Sequence, residues 1–126
     1  MKIKAVALDD EPLALKVIEA YCNRLDYIDL QKVFTKTGDA MEYLENFPVD
    51  LIFLDINMPG LNGLEVFSYF KREPYLANTA VFIVSSEAER EVIETALKLG
   101  ARAYLMKPVS LDDLEQALRD AGLYYA

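Results

Sequence analysis

The chain is 126 residues long, 53% hydrophobic, with a net charge of −8 and no histidine. That length fits one domain, 1–126, with apolar content enough for a packed core without disulfide or metal staples. The acidic balance and the lack of any Lys/Arg cluster exclude a nucleic-acid-gripping surface. The missing imidazole excludes His-built zinc sites, Ser-His-Asp triads and phosphohistidine chemistry on this chain. No apolar run reaches the length of a membrane span, and "MKIKAVALDD" lacks the apolar stretch of a signal peptide. The single cysteine, Cys22, can form no internal disulfide and reads as a small buried helix residue. A reducing, cytoplasmic setting is expected.

Strand-like runs alternate with stretches of helical period. "IKAVAL" (3–8) is the first strand. The helix after it takes Pro12 in its first turn and sets Leu13, Val17, Tyr21 and Leu25 four apart on one face, expected inward. "IDLQKVF" (28–34) is a more polar strand, suited to an edge. Thr37 is expected to N-cap a helix carrying Met41, Leu44 and Phe47. "LIFL" (51–54) is a strand buried on both faces. A third helix, from near Asn62 to before Pro74, buries Leu64, Phe67 and Phe70. "AVFIVS" (80–85) leads to a fourth helix presenting Val92, Ala96 and Leu99 and stopping at Gly100. "RAYLM" (102–106) is the fifth strand. Ser110 then caps a last helix with Leu111, Leu114, Leu118 and Ala121 inward and Gly122 at its end. Five βα units in alternation predict an α/β fold, a flavodoxin-like doubly wound parallel sheet in the order 2-1-3-4-5.

In such a sheet, ligands bind beyond the carboxyl ends of the strands, at the switch point between strands one and three. Strand one ends in Asp9 and Asp10, followed by Glu11, and strand three ends in Asp55. Carboxylates converging on one crevice either protonate or take up a cation. An all-oxygen donor set selects a hard ion, Mg²⁺ first. Strand five adds Lys107, followed by Pro108, and strand four adds Ser85 and Ser86. An acidic nucleophile, a metal and a cationic donor are what phosphoryl transfer requires, so Asp55 can attack phosphorus and become an aspartyl phosphate. Each residue has a plainer reading. Asp9, Asp10 and Glu11 suit a helix N-terminus, Asp55 a turn start, Ser85 a strand end, Lys107 a solvated charge, and Tyr104 simple packing. What favours chemistry is that the acids, the lysine and the hydroxyl all fall at strand carboxyl ends.

"LDDEP", "LIFLDINMPGLNG", "VFIVSS" and "GARAYLMKP" together resemble a receiver domain of bacterial two-component response regulators, over essentially the whole chain. The resemblance implies that a partner histidine kinase or phosphotransfer protein phosphorylates Asp55. It implies Mg²⁺ (or Mn²⁺) bound by Asp10, Asp55 and the backbone carbonyl of Asn57, with Asp9 acting through water. Lys107 would pair with the phosphoryl group, Ser85 would hydrogen-bond it, and Tyr104 would be the switch aromatic. The Lys107–Pro108 bond would be cis. Asn57 and Glu87 would set the lifetime of the phosphoryl group; both are polar, so a short one is expected. The output would be a downstream protein or self-association through the face of the fourth helix, fifth strand and fifth helix, with neither nucleic acid nor membrane bound.

"LDDEPLAL" and "DLIFLDINMPGLNGLE" further resemble receivers of the LytR/AlgR type, which usually carry a DNA-binding domain. No output domain is expected in this chain. Receivers of the OmpR type carry two acids just before the tyrosine, where this chain has Arg102 and Ala103, so their dimer mode is not carried over. Phosphatases of the haloacid dehalogenase class also use a strand-end aspartate, with a second acid two residues on. Asn57 stands there and cannot shuttle protons. A glycine-rich dinucleotide turn is absent, since "DDEP" follows strand one. The rival to the phosphoacceptor is a degenerate receiver acting as an unphosphorylated interaction module. Either way the chain is expected to be no turnover enzyme.

Overall fold

A computed structural model describes residues 2–56, 67–68, 72–73, 78–86 and 89–123. Its elements are β1 (Ile3–Leu8), α1 (Pro12–Arg24), β2 (Ile28–Phe34), α2 (Thr37–Asn46), β3 (Leu51–Leu54) and β4 (Ala80–Ser85). They are followed by α3 (Arg90–Lys98), β5 (Ala103–Met106) and α4 (Leu111–Asp120). The helices α3 and α4 are the fourth and fifth expected from the sequence. All strand pairs are parallel, in the order β2-β1-β3-β4-β5. This is the flavodoxin-like arrangement the alternation predicts.

Helices cover both faces, so the central strands are apolar on both sides. Side chains alternate across β1 and β3. Ile3, Ala5, Ala7, Leu51 and Phe53 join one cluster with Leu15, Ile18 and Cys22 of α1 and Leu114 and Leu118 of α4. Val6, Leu8, Ile52 and Leu54 join the other, with Leu44 of α2, Ala96 of α3, and Phe67. Phe53 meets Phe82 edge-on, ring centres 5.9 Å apart. Truncating either ring to alanine should cost about 3–5 kcal/mol, because the packed surroundings relax only partly. The more polar β2 lies at the edge, as expected.

Helix ends follow local chemistry. Ser110 accepts the Asp113 N–H at 3.1 Å, capping α4 as predicted. Gly100 and Gly122 take positive φ, 109° and 73°. Beyond α3, Gly100 N–H bonds to Leu97 O and Ala101 N–H to Ala96 O; beyond α4, Gly122 bonds to Arg119 and Leu123 to Leu118. That paired pattern closes a helix through a left-handed residue, which glycine adopts without steric cost.

Three expectations need correction. The inward face of α1 is Leu15, Ile18 and Cys22; Leu13 is 76% exposed and Val17 38%. Tyr21 is half-buried, its hydroxyl donating to Val109 O at 2.7 Å, and Leu25 is buried just past the helix. Thr37 does not cap α2. Lys36 holds the extended cap backbone, and Thr37 is already helical, its Oγ1 without a hydrogen-bond partner among the described residues. Phe47 and Leu99 lie just past their helices, exposed rather than buried, where the chain has left the sheet-facing stripe. Phe47 stacks instead on Tyr43, with ring centres 4.7 Å apart. Of the third expected helix, Phe67 is fully buried, while Leu64 and Phe70 lie outside the described residues.

Candidate functional site

Parallel pairing puts the carboxyl ends of β1, β3, β4 and β5 along one rim. At that rim Asp9 N–H donates to Phe34 O (3.0 Å), Asp55 N–H to Leu8 O (3.0 Å) and Lys107 N–H to Ser85 O (2.9 Å). The ladder therefore continues one residue past each strand and fixes the backbone of the three charged residues. Their side chains converge on a crevice bounded by rigid sheet.

One carboxylate oxygen from each of Asp9, Asp10, Glu11 and Asp55 lies within 4.8 Å of the others. Asp55 is almost fully buried, at 1% exposure, and Asp9 is buried as well. Four acids face one ammonium. Lys107 Nζ lies 2.7 Å from Glu11 Oε1, 2.9 Å from Asp9 Oδ2 and 3.5 Å from Asp55 Oδ2. Burial works to lower the lysine's pKa. Its hydrogen bonds to Glu11 and Asp9 and the charges of Asp55 and Asp9 outweigh that, holding it above the ordinary value. The ammonium stays charged. Negative charge remains in excess, and the donors are oxygen only, so the residues fit a hard divalent cation rather than a thiophilic one. The Lys107–Pro108 peptide is cis, as expected.

Ser85 is fully buried at the end of β4, and Ser86 beside it is exposed. Ile83 pairs with Tyr104 and Ser85 with Met106 across β4 and β5. Ile83 and the half-buried Tyr104 both pack into the α2–α3 side of the core. By alternation Ser85 shares that sheet face with Tyr104. Of the predicted site residues, Asp9, Asp10, Asp55 and Lys107 are thus gathered in one place. Ser85 and Tyr104 are neighbours along one sheet face. Asn57 and Glu87 lie outside the described residues. No local signal in the sequence shows that Glu11 holds Lys107. The two are 96 positions apart, and only the "DDEP" spacing hinted that a third acid stands at the rim.

The family model of the response regulator receiver domain matches residues 5–119. The chain belongs to that family. The receiver is 34% identical over 115 residues to the nitrate/nitrite response regulator protein NarL of Escherichia coli, covering 91% of this chain and 52% of NarL. It is 30% identical over 118 residues to the transcriptional regulatory protein MalR of Bacillus subtilis, covering 94% of this chain and 49% of MalR. The chain spans about half the length of these relatives. In fold, the receiver matches the isolated REC domain of RcsB from Salmonella enterica with a TM-score of 0.86 at 18% identity. That match covers 94% of this chain and 87% of the other. Among the described residues, no helix is long and apolar enough to cross a membrane.

Proposed function

We propose that this chain, 1–126, is a single phosphoacceptor domain that takes a phosphoryl group onto Asp55 from a phosphohistidine of a histidine kinase or phosphotransfer protein. The observation that carries the reading is a buried strand-end carboxylate with an ammonium 3.5 Å away, inside a ring of further acids. A lone pair on an Asp55 oxygen forms the O–P bond as the P–N bond breaks. The bonding pair returns to the partner's imidazole. Lys107 donates to the incoming phosphoryl oxygens, and the rigid backbone around Asp55 holds the carboxylate in line. When bound, Mg²⁺ (or Mn²⁺) would be held by Asp10, Asp55 and the Asn57 carbonyl, with Asp9 acting through water, and would neutralise part of the phosphoryl charge. Hydrolysis returns the Asp55 carboxylate and inorganic phosphate. We take Asn57 and Glu87, both polar, to leave that water unshielded, so the adduct is short-lived.

A phosphoryl group adds roughly two negative charges. Ser85, moving toward it, gains a charge-assisted hydrogen bond and vacates space on the face it shares with Tyr104. Tyr104 then turns inward and alters the surface of α3, β5 and α4, where Leu97 and Met106 are exposed. Two packings of one surface, differently stabilised by the phosphoryl group, are the minimum a switch requires. The reader of that surface is a downstream protein or a second copy, in the cytoplasm. This stoichiometric role differs from that of a turnover enzyme.

The test is uptake of acetyl phosphate or beryllofluoride with and without Mg²⁺, followed by mass spectrometry and NMR. A Mg²⁺-dependent adduct that vanishes in Asp55→Asn is expected. An adduct that survives this substitution, or that forms equally in EDTA, refutes the reading.

A further inference from the structure

An ammonium has three N–H donors. Those of Lys107 meet three acids at unequal distances: 2.7 Å to Glu11, 2.9 Å to Asp9 and 3.5 Å to Asp55. The first two are hydrogen bonds; the third is longer than one. The partners also differ in what it costs to release them. The Glu11 side chain is 62% exposed, against 7% for Asp9 and 1% for Asp55. Released, Glu11 is rehydrated at once, whereas either aspartate would be left a buried, poorly paired charge. Asp9 is further tied down by the Glu11 N–H at 2.9 Å. The shortest contact is therefore the one most easily given up. Space to give it up is present too. Glu11 and Lys107 together line a cleft of about 330 Å³ that runs past Leu13 and Val17 to Val109.

We propose that Glu11 is a positioning residue for Lys107, holding its ammonium at the rim of the resting site and releasing it when Asp55 carries a phosphoryl group. This rests on Asp55 being the phosphoacceptor. No covalent bond changes at Glu11. Its carboxylate swings into the cleft while the freed N–H donor turns to a phosphoryl oxygen. Glu11, the fourth acid of the cluster, thus serves the lysine and not the metal. In the resting state it competes with the phosphoryl group for the ammonium, so weakening that hold strengthens capture.

Beryllofluoride, a mimic of the phosphoryl group, is titrated in Mg²⁺ into wild type, Glu11→Gln and Glu11→Asp and followed by ¹⁹F NMR. Mg²⁺ affinity is measured separately without fluoride, and the Lys107 ammonium is followed by ¹⁵N–¹H NMR. Glu11→Gln is expected to bind beryllofluoride roughly three- to fivefold tighter, the size of one half-exposed ion pair removed from the competing state. Glu11→Asp keeps the charge but is one methylene short, so it shifts the same way. Glu11→Asp keeps Mg²⁺ affinity within about twofold of wild type and Glu11→Gln within about fivefold, the effect of one screened charge beside a divalent ion, and both move the Lys107 ammonium signal before any fluoride is added. A wild-type-like Glu11→Asp overturns the proposal, because charge alone is then acting. So does an unchanged or weaker beryllofluoride affinity in Glu11→Gln. A loss of Mg²⁺ affinity of about tenfold or more overturns it as well, since Glu11 then helps hold the metal, directly or through one of its ligands. A wild type that takes up no beryllofluoride overturns the phosphoacceptor reading and this inference with it; uptake with unaltered variants overturns this inference alone.

Discussion

Two aspartates bracket the four residues of β3, and they live under opposite conditions. Asp50, before the strand, is exposed, and its Oδ2 accepts the Lys4 N–H at 2.9 Å. Its own N–H donates to Lys4 O and its carbonyl accepts from Ala80. Asp55, after the strand, is buried among three more acids with one shared lysine. The first carboxylate has its charge met by a backbone donor and by water, and so it serves the fold. The second keeps an excess of like charge around it, which is costly in the resting protein and is relieved by protonation or by a bound cation. One strand thus shows how a structural acid and the acid we propose to be reactive differ: in the balance of their surroundings, not in residue type.

Neutralising each carboxylate in turn separates their roles. Asp55→Asn should abolish the beryllofluoride adduct entirely, while Asp50→Asn should keep it in full, as read by intact-protein mass spectrometry and ¹⁹F NMR. If Asp50→Asn also loses the adduct, the two ends of β3 are not independent.

Metal dependence comes next in size. Asp10→Asn should melt at the wild-type temperature or above without metal, gaining up to ~1 kcal/mol as repulsion within the acid cluster falls. It should lose most of the stabilisation that millimolar Mg²⁺ gives the wild type. Asp50→Asn should keep that stabilisation. A clearly less stable metal-free Asp10→Asn would make Asp10 structural, like Asp50.

A third effect belongs to Asp50 alone. Asp50→Ala removes the acceptor of the Lys4 N–H at the start of the β1–β3 ladder. The loss should be about 1 kcal/mol in urea unfolding, because water reaches the freed group. An equal loss on Asp55→Ala would erase the distinction between the two carboxylates.

The smallest effect separates two titrating groups at the two ends of the sheet. Burial lifts Cys22, which borders the cavity beside Lys2 and Leu25, from 9.0 to about 12. At the other end Lys107 is raised against its burial, by the acids around it. The unfolded thiol ionises first, so the stability Cys22 confers is complete below pH 9.0 and is lost as pH rises toward about 12. At pH 9 the loss is only about 0.4 kcal/mol, a factor of two in the unfolded population. Lys107 adds nothing there, since its contribution is complete below 10.5 and fades only above it. Urea unfolding from pH 8 to 9.5 should therefore show a decline in wild type that Cys22→Ala flattens.

The order of elements, the strand order and the rim where the acids gather are legible in the pattern of the chain. Apolar runs such as "LIFL" and "AVFIVS" admit one reading, and βα alternation leaves few topologies. Ser110, Gly100 and Gly122 acted as local signals that needed no partner from afar. The face of α1 was settled by packing against the sheet. "PLALKVIEAYC" is apolar on more than one side, so Leu13/Val17 and Leu15/Ile18/Cys22 satisfy helical period equally. The turn from β1 through Asp9 to Glu11 sets the phase that turns the second stripe to the sheet. Likewise the start of α2 depended on backbone angles at Lys36, which the preference of Thr37 for a cap did not control. The hold of Glu11 on Lys107 depended on two loops meeting across the sheet's carboxyl edge. Period and local propensity act within a turn or two of chain; contacts between distant loops are made only when the whole sheet has formed.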